Sequence, residues 1–189
     1  MRSFLVVGHK FRGDINLNDL PGSGRIDVIA RCINASIFLS HDIRRDVIFL
    51  AYFPQISARI KIDSSRVKYL NPDERSTAAL IRNAIIKMDD EEICSSPGFY
   101  VKRESFREVI EEIKSLGRIY YLHEKGEDMR GIALSDKSAF ILSDSVNFSP
   151  EEEKMILEFA DARISVGPRS ILASHTITIV HNELDRRGL

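Results

Sequence analysis

The sequence has little of what several functions require. Its two cysteines, Cys32 and Cys94, supply neither a disulfide framework nor a zinc site. No Gly-x-Gly-x-x-Gly loop and no Gly-x4-Gly-Lys-Ser/Thr loop is present, so the usual dinucleotide and P-loop phosphate cradles have no support. The N-terminal apolar run, Phe4 to Val7, is far too short for a signal segment or a membrane span. Charge of one sign is not in excess either. Against 28 Asp and Glu stand 27 Lys and Arg, a formal net charge of −1, so any nucleic-acid contact must come from a local basic patch. No Ser-His-Asp or Cys-His set can be read. These absences lead us to expect a reduced, soluble, cytoplasmic protein with no membrane partner and no metal.

What is there fits one domain. A chain of 189 residues can bury a real core. Phe4–Val7 reads as a central strand and Asp46–Phe53 as a second. Between them a polar loop carries Gly13, Pro21, Gly22 and Gly24, and Arg25–His41 reads as a helix with Ile26, Ile29, Ala30, Ile33 and Ile37 in one stripe. Ser57–Ile62 and Arg66–Leu70 read as shorter, more exposed strands. Asn71-Pro72-Asp73-Glu74 reads as a helix start with Asn71 as cap and Pro72 first, the helix running to about Met88. Ser95–Gly98 is a turn, Phe99–Lys102 a short strand, and Ser105–Leu116 an amphipathic helix. Ile119–Leu122, Ala139–Leu142 and Arg163–Val166 read as strands, with a helix opened by Ser149 and Pro150 before the last of them. Strands alternating with helices predict an α/β fold with a mostly parallel sheet, and ligands of such sheets bind beyond the carboxyl ends of the strands. The loops after Leu142 and Val166 are therefore the places to look.

The C-terminal stretch is the most unusual. A Gly167-Pro168 turn precedes a segment that mixes Ser170, Ser174, His175, Thr176 and Asn182 with apolar residues. Residues 176–180 have strand-like branching, yet Leu172, Thr176, Ile179 and Leu184 also fit a helical stripe, and we read a helix. Gly167 lets a ligand approach the backbone, and the unpaired N–H groups of the following helix can bind polar groups. Asp27, Arg31 and Asn34 form a polar row on the first helix that could hold a substrate; an ordinary i,i+4 salt bridge explains the same row. Arg44 and Arg45 read as cations at a helix end, where they suit the dipole, or as phosphate ligands. Arg75, a cation near a helix start, has no such structural excuse. His175 reads as a structural histidine. The loop Gly8-His9-Lys10 stands where a substrate-facing loop would.

The segments Phe4–Lys10, Asp19–Val47, Asn71–Arg82, Gly126–Arg130 and Ile164–Arg186 together resemble, in order and over nearly the whole chain, the archaeal TrmY family of tRNA pseudouridine-54 N1-methyltransferases, of the SPOUT class. The resemblance implies a single SPOUT domain over 1–189 whose C-terminal region, about 138–189, forms a deep trefoil knot. It implies S-adenosylmethionine as methyl donor, a homodimer, and the T-loop of tRNA as substrate. Carried over by position, the cofactor loops are Leu142-Ser143-Asp144, Ser165 to Leu172 and Thr176, with Leu134 as a further contact; the expected contacts are Leu134, Leu142, Ser143, Ser165, Val166, Gly167, Ser170, Leu172 and Thr176. Two departures stand out: Leu142-Ser143-Asp144-Ser145 where the family has Leu-Gly-Asp-His, and Ser174-His175-Thr176 where it has Ser-His-Cys.

On this reading Asp27 accepts the N1 proton or orients the base, Arg31 and Asn34 steady the base edge, and Lys10, Arg44, Arg45 and Arg75 meet RNA phosphates. Rival readings are a methyltransferase of the same class acting on a ribosomal or other RNA base, and a dimer that binds RNA or S-adenosylmethionine without transfer. A small-molecule nucleotide-binding protein would rest on fold analogy alone.

Overall fold

A computed structural model describes residues 1–189. One eight-stranded sheet forms the frame. Its strands are β1 (Arg2–Val7), β2 (Val47–Phe53), β3 (Ala58–Asp63), β4 (Ile93–Ser96), β5 (Phe99–Arg103), β6 (Arg118–Asp128), β7 (Ser138–Ser143) and β8 (Ala162–Ser165), in the spatial order β4-β5-β3-β2-β1-β7-β6-β8. The five strands β2-β1-β7-β6-β8 run parallel, and β3, β5 and β4 add an antiparallel wing. The expected α/β architecture with a mostly parallel sheet is what the chain adopts.

Helices cover both faces. Alternate residues of β1 divide between them: Phe4 and Val6 face one core with α1 (Ile26–Ile37), α2 (Glu74–Ile86) and α5 (Ala173–Arg186), while Leu5 and Val7 face a second core with α3 (Phe106–Leu116) and α4 (Pro150–Phe159). Burial on both faces is why the central strands read as unbroken apolar runs rather than alternating ones. α3 and α4 both start with a capping box, Ser105 with Glu108 and Ser149 with Glu152.

Several elements differ from the sequence reading. α1 ends at Ile37 rather than His41, because Phe38 turns extended and bridges to Ile43. Arg44 and Arg45 are therefore not at a helix end. Arg66–Leu70 is a loop, not a strand; Tyr69 there has φ 65°, outside strand geometry. β3 is buried, not exposed, since it lies between β2 and β5. β4 was expected only as part of a turn; it pairs with β5 around Pro97-Gly98. Asp73, not Asn71, caps α2: its carboxylate accepts a 2.8 Å bond from the Ser76 N–H.

The last segment is a helix, but its inward stripe is Ser174, Ile177, Val180, His181 and Leu184. Of the stripe expected to face the core, only Leu184 does; Leu172 and Ile179 are exposed. The ambiguity had a physical source, since this helix carries apolar residues on two faces.

β6 continues past Leu122 as far as Asp128 and meets β8 twice, with Ile164 opposite both Leu122 and Glu127. A Cβ on Gly126 would lie 2.3 Å from the Ile164 carbonyl carbon, so only glycine lets the two backbones pass. Beyond this crossing, Arg187 at the end of α5 donates to the carbonyls of Met129, Arg130 and Ile132. No helix is long and apolar enough to cross a membrane.

Candidate functional site

A cavity of about 550 Å³ opens at the carboxyl ends of the parallel strands. Three segments wall it: Tyr121–Glu124 at the bend of β6, Leu142–Ser145 after β7, and Ser165–Thr176 from the end of β8 into α5. Arg25, Val28 and Arg31 of α1 and the loop before it close the remaining side. The structure thus brings together eight of the nine residues expected around a cofactor: Leu142, Ser143, Ser165, Val166, Gly167, Ser170, Leu172 and Thr176. Leu134 is not among the lining residues and packs against the larger core instead.

The loop after β8 is shaped locally. The Ser165 hydroxyl donates to the Gly167 carbonyl at 2.7 Å and accepts from the Gly167 N–H at 3.2 Å. Around Gly167 an added Cβ would meet no protein atom within 4 Å. The backbone there borders open cavity, which suits a ligand lying against the main chain. Leu172 stands before α5 without a side-chain cap, which leaves the first N–H groups of the helix without a capping partner beside the cavity. Ser170 reaches Glu124 across the mouth. A mixed lining of apolar side chains, backbone donors and carboxylates fits the adenine, the amino-acid moiety and the sulfonium charge of S-adenosylmethionine.

The polar row on α1 has a definite geometry. Asp27 is buried, and both of its oxygens are taken: Arg25 donates to Oδ1 and Oδ2 at 3.0 Å each, and Arg31 donates to Oδ2 at 2.7 Å. Burial pushes this carboxyl up, but the hydrogen bonds from Arg25 and Arg31 together hold it below the ordinary range. Arg25 precedes the helix in a left-handed conformation, φ 63°, an uncommon state for a residue with a side chain. Arg31 continues to Glu74 at 3.2 Å and lines both the cavity and an adjoining, shallower groove. Asn34 lines that groove with Arg75 and His175, and its Oδ1 accepts from Thr77 Oγ1 at 2.9 Å. The i,i+4 salt bridge expected of this row is present between Asp27 and Arg31.

The four expected RNA-contacting cations are spread out. Arg75 is exposed in the groove, and Lys10 is exposed on the loop after β1. Arg44 and Arg45 lie at the opposite end of the parallel strands, just before β2. There the Arg44 guanidinium pairs with Asp185 at 2.6 and 3.0 Å.

Sequence reasoning passed over several lining residues. Tyr121 and Glu153 stand in the cavity wall, and burial together with the Glu153 charge pushes the Tyr121 hydroxyl up. Arg25 was treated only as the start of a helix; its two-residue spacing from Asp27 was the available signal. His9 has its two ring nitrogens against Asp144 Oδ1 at 3.3 Å and Glu152 Oε2 at 3.2 Å. Cys32, by contrast, is on the buried face of α1, and burial pushes its thiol up to about 12, which removes it as a nucleophile. No group of three or more His, Cys, Asp or Glu side chains is arranged to hold a metal ion.

Comparison with known proteins adds a family to this geometry. A family model described as "Putative SAM-dependent RNA methyltransferase" matches residues 1–189. The chain is 44% identical over 195 residues to the tRNA (pseudouridine(54)-N(1))-methyltransferase of Methanococcoides burtonii, covering 98% of this chain and 96% of that one. It is 41% identical to the protein of the same name from Methanocaldococcus jannaschii, covering 100% and 98%. Among solved structures, Archaeoglobus fulgidus Nep1 bound to S-adenosylhomocysteine superposes with a TM-score of 0.70 at 14% identity, over 100% of this chain and 99% of that one. The last match shows a shared fold.

Proposed function

The chain belongs to the family of SAM-dependent RNA methyltransferases, and we propose that it methylates N1 of pseudouridine 54 in the T-loop of tRNA. The observation that carries this reading is full-length identity above 40% to two enzymes named for that reaction. S-adenosylmethionine supplies an electrophilic methyl group. Leu142, Ser143, Ser165, Val166, Gly167, Ser170, Leu172 and Thr176 hold it in the cavity, with backbone groups around Gly167 against its adenine. Ser143 and Thr176, which stand where the family has glycine and cysteine, line the wall with small side chains.

The substrate base enters from the α1 side. Arg31 and Asn34 steady its edge, and Asp27 acts by fixing Arg25 and Arg31, because both its oxygens are already engaged. Holding the two reactants in line supplies much of the rate. A T-loop base is extruded or already accessible for this chemistry. Arg75 and Lys10 contact phosphates near the target, while Arg44 and Arg45 reach only RNA that extends past the far end of the sheet. The reaction takes place in the cytoplasm.

A homodimer completes the site. Exposed Ile171, Leu172 and Ile179 (41, 60 and 38% exposed) support it, the first two on the cavity lining just before α5 and the third on α5 itself. Light scattering that finds a monomer at micromolar concentration would remove the dimer. The residues from about 138 to 189 form a deep trefoil knot within a single domain. The double crossing of β6 and β8 and the clasp on Arg187 support the knot. Threading predicts a slow refolding phase that prolyl isomerase does not accelerate, and a single fast phase would count against it.

The test of function is transfer of labelled methyl to two T-loop RNAs, one with pseudouridine at the target and one with uridine. Transfer to the pseudouridine RNA alone is expected. Transfer only to ribosomal RNA would move the substrate, and cofactor binding without transfer to any RNA would leave a binding protein.

A further inference from the structure

Methyl transfer to pseudouridine N1 leaves a proton to be removed, and the row on α1 offers no free acceptor. Asp27 is clamped by two guanidinium groups. A different carboxylate on the cavity wall has what Asp27 lacks. Asp144 follows β7 directly, and its side chain is 1% exposed. Its Oδ1 accepts from the Val146 N–H at 3.0 Å and faces His9 Nδ1. Its Oδ2 is buried and has no hydrogen-bond partner in the protein. A buried carboxylate oxygen without a donor is costly, and one in a cavity-lining residue points to a donor supplied by a ligand.

The surroundings hold this carboxylate ready. His9 stands with one nitrogen towards Asp144 and the other towards Glu152, an arrangement that favours the ring with hydrogen on both nitrogens. Burial lowers the His9 pKa, but hydrogen bonds and charge from Asp144 and Glu152 outweigh it and the net shift is upward. Glu152 is itself fixed, since its Oε2 also accepts from the Ser149 N–H in the capping box of α4. The start of α4 thus positions Glu152, Glu152 positions His9, and His9 positions Asp144.

Building on the pseudouridine reading above, we propose that Asp144 is the proton acceptor for methyl transfer, with His9 and Glu152 as its positioning residues. As the bond from N1 to the methyl carbon forms, the carbon–sulfur bond breaks and its electron pair stays on sulfur. The N1 proton passes to Asp144 Oδ2. One cation, the sulfonium, and one anion, the carboxylate, become a neutral thioether and a neutral carboxyl group, so charge and protons balance. Asp144 returns its proton to solvent when the products leave.

The experiment compares the full-length wild type with Asp144→Asn. Single-turnover transfer to pseudouridine T-loop RNA is followed across pH, and S-adenosylhomocysteine binding is measured by calorimetry. Asp144→Asn is expected to lose about 10²- to 10⁴-fold in rate with its S-adenosylhomocysteine affinity kept within about twofold. Its residual rate should climb about tenfold per pH unit, as hydroxide takes over the acceptor's part, where the wild type is flat. His9→Gln should lower the single-turnover rate while S-adenosylhomocysteine affinity stays within about twofold, because it removes the ring that holds Asp144 in place. Full activity in Asp144→Asn, a flat profile at reduced rate, or a rate loss matched by lost S-adenosylhomocysteine affinity would each overturn the proposal. If Asp144→Asn does not fold, Asp144→Glu replaces it. A flat pH profile at partial rate then supports the proposal, and a hydroxide-dependent one sinks it. Wild-type protein that binds S-adenosylhomocysteine but transfers nothing to pseudouridine RNA would instead remove the functional reading on which the proposal stands.

Discussion

Arg25 grips Asp27 through two parallel 3.0 Å hydrogen bonds although the two residues are only two positions apart, and the left-handed turn at Arg25 is what folds the guanidinium back onto the carboxylate. Arg31, one helical turn on, binds the same carboxylate. Asp27→Asn would keep one acceptor and turn an amide N–H towards a guanidinium. The loss of a charge-assisted bond is worth about 1.5–3 kcal/mol, and the arginines' partial exposure places it at the low end. We expect a fall of about tenfold in kcat/KM on RNA with cofactor affinity unchanged. Full turnover in this variant would remove Asp27 from the substrate side of the site.

Gly24 and Gly167 should respond to alanine in opposite ways. Gly24 has φ 67°, and a Cβ there would lie 2.5 Å from the Lys10 carbonyl oxygen. Strain and overlap together predict a loss of about 1–3 kcal/mol in urea unfolding. At Gly167 a Cβ meets no protein atom, so stability should stay within about 0.5 kcal/mol. The methyl would instead occupy the cavity, and S-adenosylmethionine affinity should drop in calorimetry. Equal affinity in Gly167→Ala would mean that the cofactor does not lie against this backbone.

His181 makes stability depend on pH. Its Nε2 donates to the Ser36 carbonyl at 3.0 Å and its Nδ1 accepts from Arg2 at 3.1 Å, so the native ring is neutral. Burial first, then the charges of Arg44 and Arg2, press its pKa down to about 3. The folded value lies below the unfolded one, near 6.5. This contribution is therefore complete above about pH 6.5 and is lost as pH falls towards 3, at up to about 1.4 kcal/mol per pH unit. Chemical denaturation of wild type and His181→Gln between these limits checks it; the variant should be less stable at neutral pH and show a flatter decline.

Arg75 and Arg44 should separate RNA binding from stability. Arg75→Ala is expected to weaken tRNA binding and reduce the salt dependence of log K by about one, without a change in melting temperature. Arg44→Ala breaks the pair with Asp185, whose carboxyl is held at about 2 by Arg44 first and Arg2 second, after an opposing effect of burial. We expect that variant to lose up to about 1 kcal/mol of stability, as a partly exposed pair would, while tRNA carrying only the T-loop arm binds it normally. A salt slope unchanged in Arg75→Ala would take the groove out of the RNA interface.

Much of this was legible in the chain. Apolar runs such as Phe4–Val7 specify strands buried on both faces, Ser149-Pro150 specifies a helix start, and the segments shared with a known family contain most residues that line the cavity. The less legible parts share one cause. The inward face of α5, the burial of β3 and the end of α1 at Ile37 depend on which elements stand beside them, and periodicity says nothing about neighbours. Leu134 was placed by its position in the resemblance, and it is not among the residues that line the cavity.

The sequence by itself determined the parallel α/β frame, the family and the loops that wall the cavity, because these follow from local pattern and from long matching segments. Only the tertiary structure decided which carboxylates are free. Asp27 and Asp144 are each a lone acid in its own segment, and the sequence does not say which of them keeps an oxygen free. Two arginines occupy both oxygens of one, whereas a histidine seven residues from the N-terminal strand's start, 135 positions away from the other, leaves it an oxygen to spare. Hydrogen-bond occupancy is settled by contacts across the fold, and it sets what each group can still do.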